Sequence, residues 1–291
     1  MTTPYALTFT SLLATIAVSG GAWAVNKDIA TLETRNGVST LTVESSRPVA
    51  KAVETLVAKY GTVITYEDPR YEYTGDLEDA TARVRTDLNR YPSGQAPKVI
   101  VPLGGKLSVS SSSTDMSAVL KQIVQASDHG HFRVEQAGNI FHVVPTEKRD
   151  RDGNWLAQSS ILDVSISLPE QDRTAYGTIK AICQAVSAAA HVHVGVGTGV
   201  WSGGLTSDSG PVEYRLGANN EHARSVLLRA LAILTPPNAN TKQTWLLFYG
   251  SPQDPSYALN LMAMPGPPLK EPPAPAPPAP QPGSPSVSSV K

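Results

Sequence analysis

Residues 110–145 read SSSSTDMSAVLKQIVQASDHGHFRVEQAGNIFHVVP, and this stretch restricts the possible folds more tightly than any other. A strand leads to Thr114 or Asp115, either of which can cap a helix. Met116, Val119, Leu120, Ile123 and Val124 then recur at helical spacing and form one apolar face. Gly130 stops the helix, and Phe132 to Gln136 with Ile140 to Val144 make a hairpin about Ala137-Gly138-Asn139. Such a unit cannot bury its apolar face alone, so it needs partners of similar plan.

Three further stretches supply them. Ser39 to Val43 alternates as a strand, Pro48 opens a helix, and Val49, Ala52, Val53, Leu56, Val57 and Tyr60 form its apolar face. Gly61 ends that helix, and Thr62 to Tyr66 follows as a β-branched strand. A third unit begins at the strand Ile161 to Leu168. It continues with a helix from about Arg173 to Ala190, whose stripe includes Cys183, and a strand His191 to Val196. The fourth has a strand Val212 to Leu216, a helix capped by Asn219 or Asn220, and a hairpin of Trp245 to Tyr249 with Tyr257 to Met262. The expected class is α+β, with repeated βαβ units in two small domains and helices packed on a mixed or antiparallel sheet.

Composition shifts mark the boundaries. Tyr5 to Val18 is a mostly apolar run that leads to Ala22-Trp23-Ala24, the pattern of a secretory signal peptide over residues 1–24. It is too short for a membrane span and is broken by Thr8, Thr10, Ser11 and Thr15. A first domain is expected over 25–147, interrupted by a polar insertion at 70–97 that holds a short helix from about Leu77 to Leu88. The charged run Glu147 to Asn154 places a linker at 148–158 and a second domain at 159–264. Residues 265–291, PGPPLKEPPAPAPPAPQPGSPSVSSVK, favour extended polyproline II rather than a packed core. A net charge of −1 provides no basic footprint for nucleic acid.

From Thr40 to Val144 the chain resembles the short N-terminal domain of secretins and TonB-dependent receptors. The resemblance rests on Arg47-Pro48-Val49-Ala50-Lys51-Ala52-Val53-Glu54-Thr55-Leu56, on Val63-Ile64-Thr65-Tyr66-Glu67-Asp68, and on Met116 to Val124 (MSAVLKQIV). It implies a periplasmic protein-contact module without catalysis or cofactor. A partner envelope protein would then be met by strand addition at an exposed sheet edge or through insertion 70–97. The chain is expected to be exported, periplasmic or extracellular.

The residues that could carry chemistry are few. His191 and His193 sit two apart on one strand face and could supply two metal ligands, with His129, His131 or His222 completing the set. Metal or small-ligand binding through that pair is the alternative function. Gly195-Val196-Gly197-Thr198-Gly199 lacks the following helix that a phosphate loop requires. Ser202 lies outside a G-x-S-x-G elbow. Tyr66, Tyr71 and Tyr73 beside Glu67, Asp68 and Glu72 could bind a sugar or a cation; the expected role is that the tyrosines pack the insertion down while the acids face water.

Overall fold

The computed structural model describes residues 28–92, 94–127, 131–197, 213–235 and 241–265. The first half begins with a hairpin, β1 (Ile29–Arg35) and β2 (Val38–Ser45), followed by α1 (Pro48–Tyr60) and β3 (Val63–Glu67). Pro48 occupies the first turn of α1, where a missing N–H costs nothing. Gly61 closes the helix at φ +61° and donates its N–H to Val57 O at 3.0 Å. Residues 70–104 contribute β4 (Leu77–Asp79), α2 (Thr81–Val84) and β5 (Ile100–Pro102). Next come β6 (Gly105–Ser111), α3 (Met116–Gln125), β7 (Phe132–Ala137) and β8 (Ile140–Pro145). Of the two candidate caps of α3, Asp115 serves, its carboxylate accepting from Ser117 N at 3.0 Å.

A short hairpin of β9 (Glu147–Arg149) and β10 (Trp155–Ala157) leads into the second half. There β11 (Ser165–Thr174) precedes α4 (Ala175–Ala190) and β12 (His193–Val196). The chain ends its described part with β13 (Glu213–His222), α5 (Ala223–Leu234), β14 (Thr241–Ser251) and β15 (Asp254–Pro265). The protein is thus mixed α+β, with helices packed on several sheets.

The two halves share one topology. In the first, β2 and β6 pair antiparallel and α1 and α3 lie between them and a three-stranded set, with β3 parallel to β8 and β8 antiparallel to β7. In the second, β11 and β13 pair antiparallel, β12 runs parallel to β15, and β15 runs antiparallel to β14. The two three-stranded sets then join through parallel pairing of β14 with β3, giving a six-stranded sheet ordered β12-β15-β14-β3-β8-β7.

Side chains alternate across that seam. Trp245, Leu247 and Tyr249 enter the second half's core, while Leu246 and Phe248 pack with the first. The helix pairs therefore cover opposite faces of the shared sheet. Cys183 is buried in the second core, where its surroundings push the thiol up to about 12. No described helix is long and apolar enough to cross a membrane.

Several local expectations change. The helix expected at Leu77 to Leu88 shrinks to the single turn of α2, because Leu77–Asp79 pairs with Ile100–Pro102 instead. Asn219 and Asn220 fall inside β13, and α5 starts later, at Ala223. Its start follows burial, since Ala223, Val226 and Leu227 are wholly enclosed. The third strand begins at His193, because His191 takes a left-handed conformation at φ 52° to end α4. The charged run at 147–154 is a folded hairpin, held by Lys148 to Glu72 at 2.6 Å and Arg149 to Asp76 at 3.1 Å. The strand β1 lies in the expected first domain but ahead of Ser39, where no strand was expected, because its sequence is mostly polar and exposed.

Candidate functional site

Strand β3 ends in Tyr66-Glu67 and the chain runs on extended to Asp68, so Glu67 faces one side of the sheet and Tyr66 with Asp68 the other. On the first-half face, Asp68 Oδ2 accepts from Arg47 Nε at 2.6 Å and from Tyr249 N at 3.0 Å, and Oδ1 accepts from Tyr66 OH at 2.8 Å. Arg47 Nη2 donates to Tyr249 O at 2.9 Å, and its guanidinium lies 4.9 Å from the Phe248 ring centroid. The ion pair is enclosed, with side-chain exposures of 6% and 0%. Burial raises the Asp68 carboxyl, against the pull of Arg47 and of the hydrogen bonds it accepts.

On the opposite face, Glu67 accepts from Ser160 Oγ and, at 2.7 Å, from Ile161 N. Ser160 Oγ in turn accepts from Arg224 Nη2 at 2.7 Å, and the same guanidinium nitrogen reaches Asp163 Oδ1 at 2.8 Å. Burial pushes Glu67 up to about 7, even though both donors and Arg224 favour its charged form. Beside it His142 Nδ1 shares a 2.8 Å hydrogen bond with Thr65 Oγ1, and burial lowers its imidazole to about 4. Glu67 and Asp68 therefore do not face water as their sequence neighbourhood suggests; the second half covers them.

These carboxylates bond to groups of both halves and are enclosed, Glu67 at 1% and Asp68 at 0% exposure. The crevice beside Arg47, Tyr66 and Tyr71, the partners of Asp68, measures 10 Å³, room for about one water. Chemically the cluster fastens the two halves together and leaves no space for a substrate.

A roomy apolar concavity lies elsewhere among the described residues, at the end of the first half where the sheet β1-β2-β6 parts from α1 and α3. This cleft measures 540 Å³. Leu41, Leu56, Val109 and Ile123 form its floor, Tyr60 and Met116 stand at its mouth, and Ser111, Ser112, Ser113 and Thr114 supply hydroxyls along one rim. Its position follows from the fold: α1 ends at Gly61 and α3 begins at Met116, so the sheet extends past both helix termini.

Among the described residues, the candidate histidines form no metal-ligating group. His191 ends α4 and His193 opens β12; both are exposed. His131 pairs with Glu147 and stacks on Trp155 at 4.5 Å, and His222 Nδ1 lies 2.7 Å from Asp163 O. Among the described residues, no three His, Cys, Asp or Glu side chains form a metal-ligating group. His129, Thr198, Gly199 and Ser202 lie outside the described residues. Of the tyrosine group, Tyr71 is buried in the second core and Tyr66 in the first, while Tyr73 lies under the Arg149 guanidinium. Comparison with protein-family models, with curated proteins and with solved structures finds no match for this chain.

Proposed function

We propose that the chain is an exported, non-enzymatic protein-interaction module of the bacterial cell envelope, and that the apolar cleft of its first half is the binding surface. The observation that carries this reading is the contrast between the two candidate sites. Glu67 and Asp68 are sealed inside the junction, whereas the 540 Å³ cleft has an apolar floor rimmed by hydroxyls; a 390 Å³ groove by Glu44, Glu78, Arg83 and Lys106 is charged and offers no such floor. Apolar floor with a few polar groups at the rim is the composition of a site that anchors side chains of a ligand. The resemblance to the short N-terminal domain of secretins and TonB-dependent receptors is part of the same reading. The first half's order of strand, helix, strand, strand, helix and hairpin supports it.

The insertion at 70–97 serves less well as the contact surface, because its Tyr71, Glu72 and Asp76 are engaged with the body of the protein. Among the described residues a metal role would rest on His191 and His193, two ligands where a tight site needs three or four.

The test is affinity capture from envelope extracts with the mature chain and with a Tyr60→Ala/Met116→Gln variant. Both changes lie at the cleft mouth and remove contact area, Tyr60 being exposed and Met116 half-buried against the core. A captured protein lost from the variant supports the reading; equal capture by both chains removes the cleft from it.

A further inference from the structure

We propose that the cleft is occupied in cis by the chain's own proline-rich segment, residues 266–291, which an envelope partner must displace. The proposal rests on the cleft being the binding surface.

Strand register brings that segment to the cleft. Tyr66 pairs with Leu246, and four residues back along β14 Lys242 pairs with Met264. Met264 is therefore level with Thr62, two strands across, about 10 Å away at ordinary strand spacing. Thr62 and Tyr60 both line the cleft. Met264 is also buried in the core that includes Leu56, Val109 and Ile123, which form the cleft floor. The segment thus leaves β15 beside the cleft mouth, and a few residues at about 3.1 Å each in polyproline II span the gap.

Asp28, the first described residue, stands at the far end of β2 from the cleft. Ser45 Oγ donates to Asp28 at 2.6 Å, whereas Ser39 and Gly37 at the other end of β2 line the cleft. Six strand residues, about 20 Å, separate these positions.

The chemistry of the two surfaces also fits. A run such as Pro272-Pro273-Ala274-Pro275-Ala276-Pro277-Pro278 presents pyrrolidine rings and carbonyl acceptors, and its prolines have no N–H to donate. Such a ligand needs apolar slots and donors. The cleft offers Leu41, Leu56 and Val109 below and the hydroxyls of Ser112, Ser113 and Thr114 at the rim, with the Tyr60 ring 47% exposed beside them. Because the segment is tethered, its effective concentration is in the millimolar range, so weak intrinsic affinity suffices to fill the site.

Met116 provides a reporter at the cleft mouth. Methionine-methyl NMR spectra would be recorded for the chain 25–291 and for the chain ending at Pro265. Removing the tail is expected to shift the Met116 signal, and synthetic peptide 266–291 added at millimolar concentration is expected to reverse that shift. Tyr60→Ala should weaken the peptide's effect at least fivefold. A Met116 signal indifferent to truncation overturns the proposal, as does a shift that the peptide cannot reverse. In either case, capture of an envelope protein that is lost with Tyr60→Ala/Met116→Gln would leave the cleft as binding surface and exclude only the tail. Loss of neither would overturn both.

Discussion

At the scale of single residues, the junction holds two groups whose titration opposes one another. Glu67 is raised from 4.5 to about 7, so the folded state binds a proton that the unfolded state has released between those values. Its contribution is fully present below 4.5 and is lost as pH rises through 7. It amounts to about 3 kcal/mol. His142 is lowered from 6.5 to about 4, so its contribution is present above 6.5 and is lost as pH falls through 4. Between 4.5 and 6.5 the two slopes largely cancel. Separating them is a direct check. Urea midpoints of Glu67→Gln should rise with pH from 4 to 6.5, and those of His142→Asn should fall from 4.5 to 7. Parallel profiles for both variants would contradict the assignment. None of this was legible in the sequence, where Glu67-Asp68 reads as an ordinary acidic strand end. Their burial depends on Tyr249, Ser160 and Arg224, which lie about 90 to 180 residues along the chain.

At the scale of elements, the shared topology makes strand-by-strand comparison possible. Val63 pairs with Ile140 as His193 pairs with Ser256, and Phe132 pairs with Pro145 as Trp245 pairs with Leu261. By this register Arg133 stands where β14 has Leu246, and Glu135 where it has Phe248. Those two apolar residues let the outer face of β14 pack on the first half's core. On β7 the same positions carry an exposed ion pair with a 2.6 Å contact. A charged outer face is how an edge strand avoids further pairing, so the sheet stops at β7 although its geometry could repeat. Exchanging the charges, Arg133→Leu with Glu135→Phe, should make the chain associate head to tail, β7 on β12 of the next copy. Sedimentation should show association at a concentration at least tenfold lower than for the unaltered chain; unchanged sedimentation would sink the comparison. The helices themselves were legible, since α1 and α3 announce themselves by apolar spacing, Pro48, Asp115 and Gly61. Strand β1 and the β9-β10 hairpin were not, because their residues are largely polar and gain order only by pairing with neighbours.

At the scale of the whole molecule, two helix pairs on opposite faces of one sheet hold together through a short ladder and the buried ions beside it. Leu246 and Leu247 make the only registered pairs of β14 with β3 among the described residues, extended by Asp68 N donating to Leu247 O at 2.8 Å. The Arg47–Asp68 pair stands at that seam. Asp68→Ala would leave a buried guanidinium without its carboxylate, a loss of about 3–5 kcal/mol. Calorimetry should then resolve two unfolding transitions where the unaltered chain shows one. The double change Arg47→Met with Asp68→Leu should recover much of the loss, since an apolar pair leaves no charge stranded. A single transition in Asp68→Ala, little displaced, would mean the halves are held by apolar contacts instead.

The sequence by itself determined the four strand–helix modules and the α+β class, because periodicity and caps act over a few neighbouring residues. Only the tertiary structure decided that the modules pair into two like halves, that one sheet runs through both, and which polar groups are sealed. Only the fold, too, brings Pro265 to the mouth of an apolar cleft. Register and burial are relations between strands far apart in the chain, and local pattern carries no record of them.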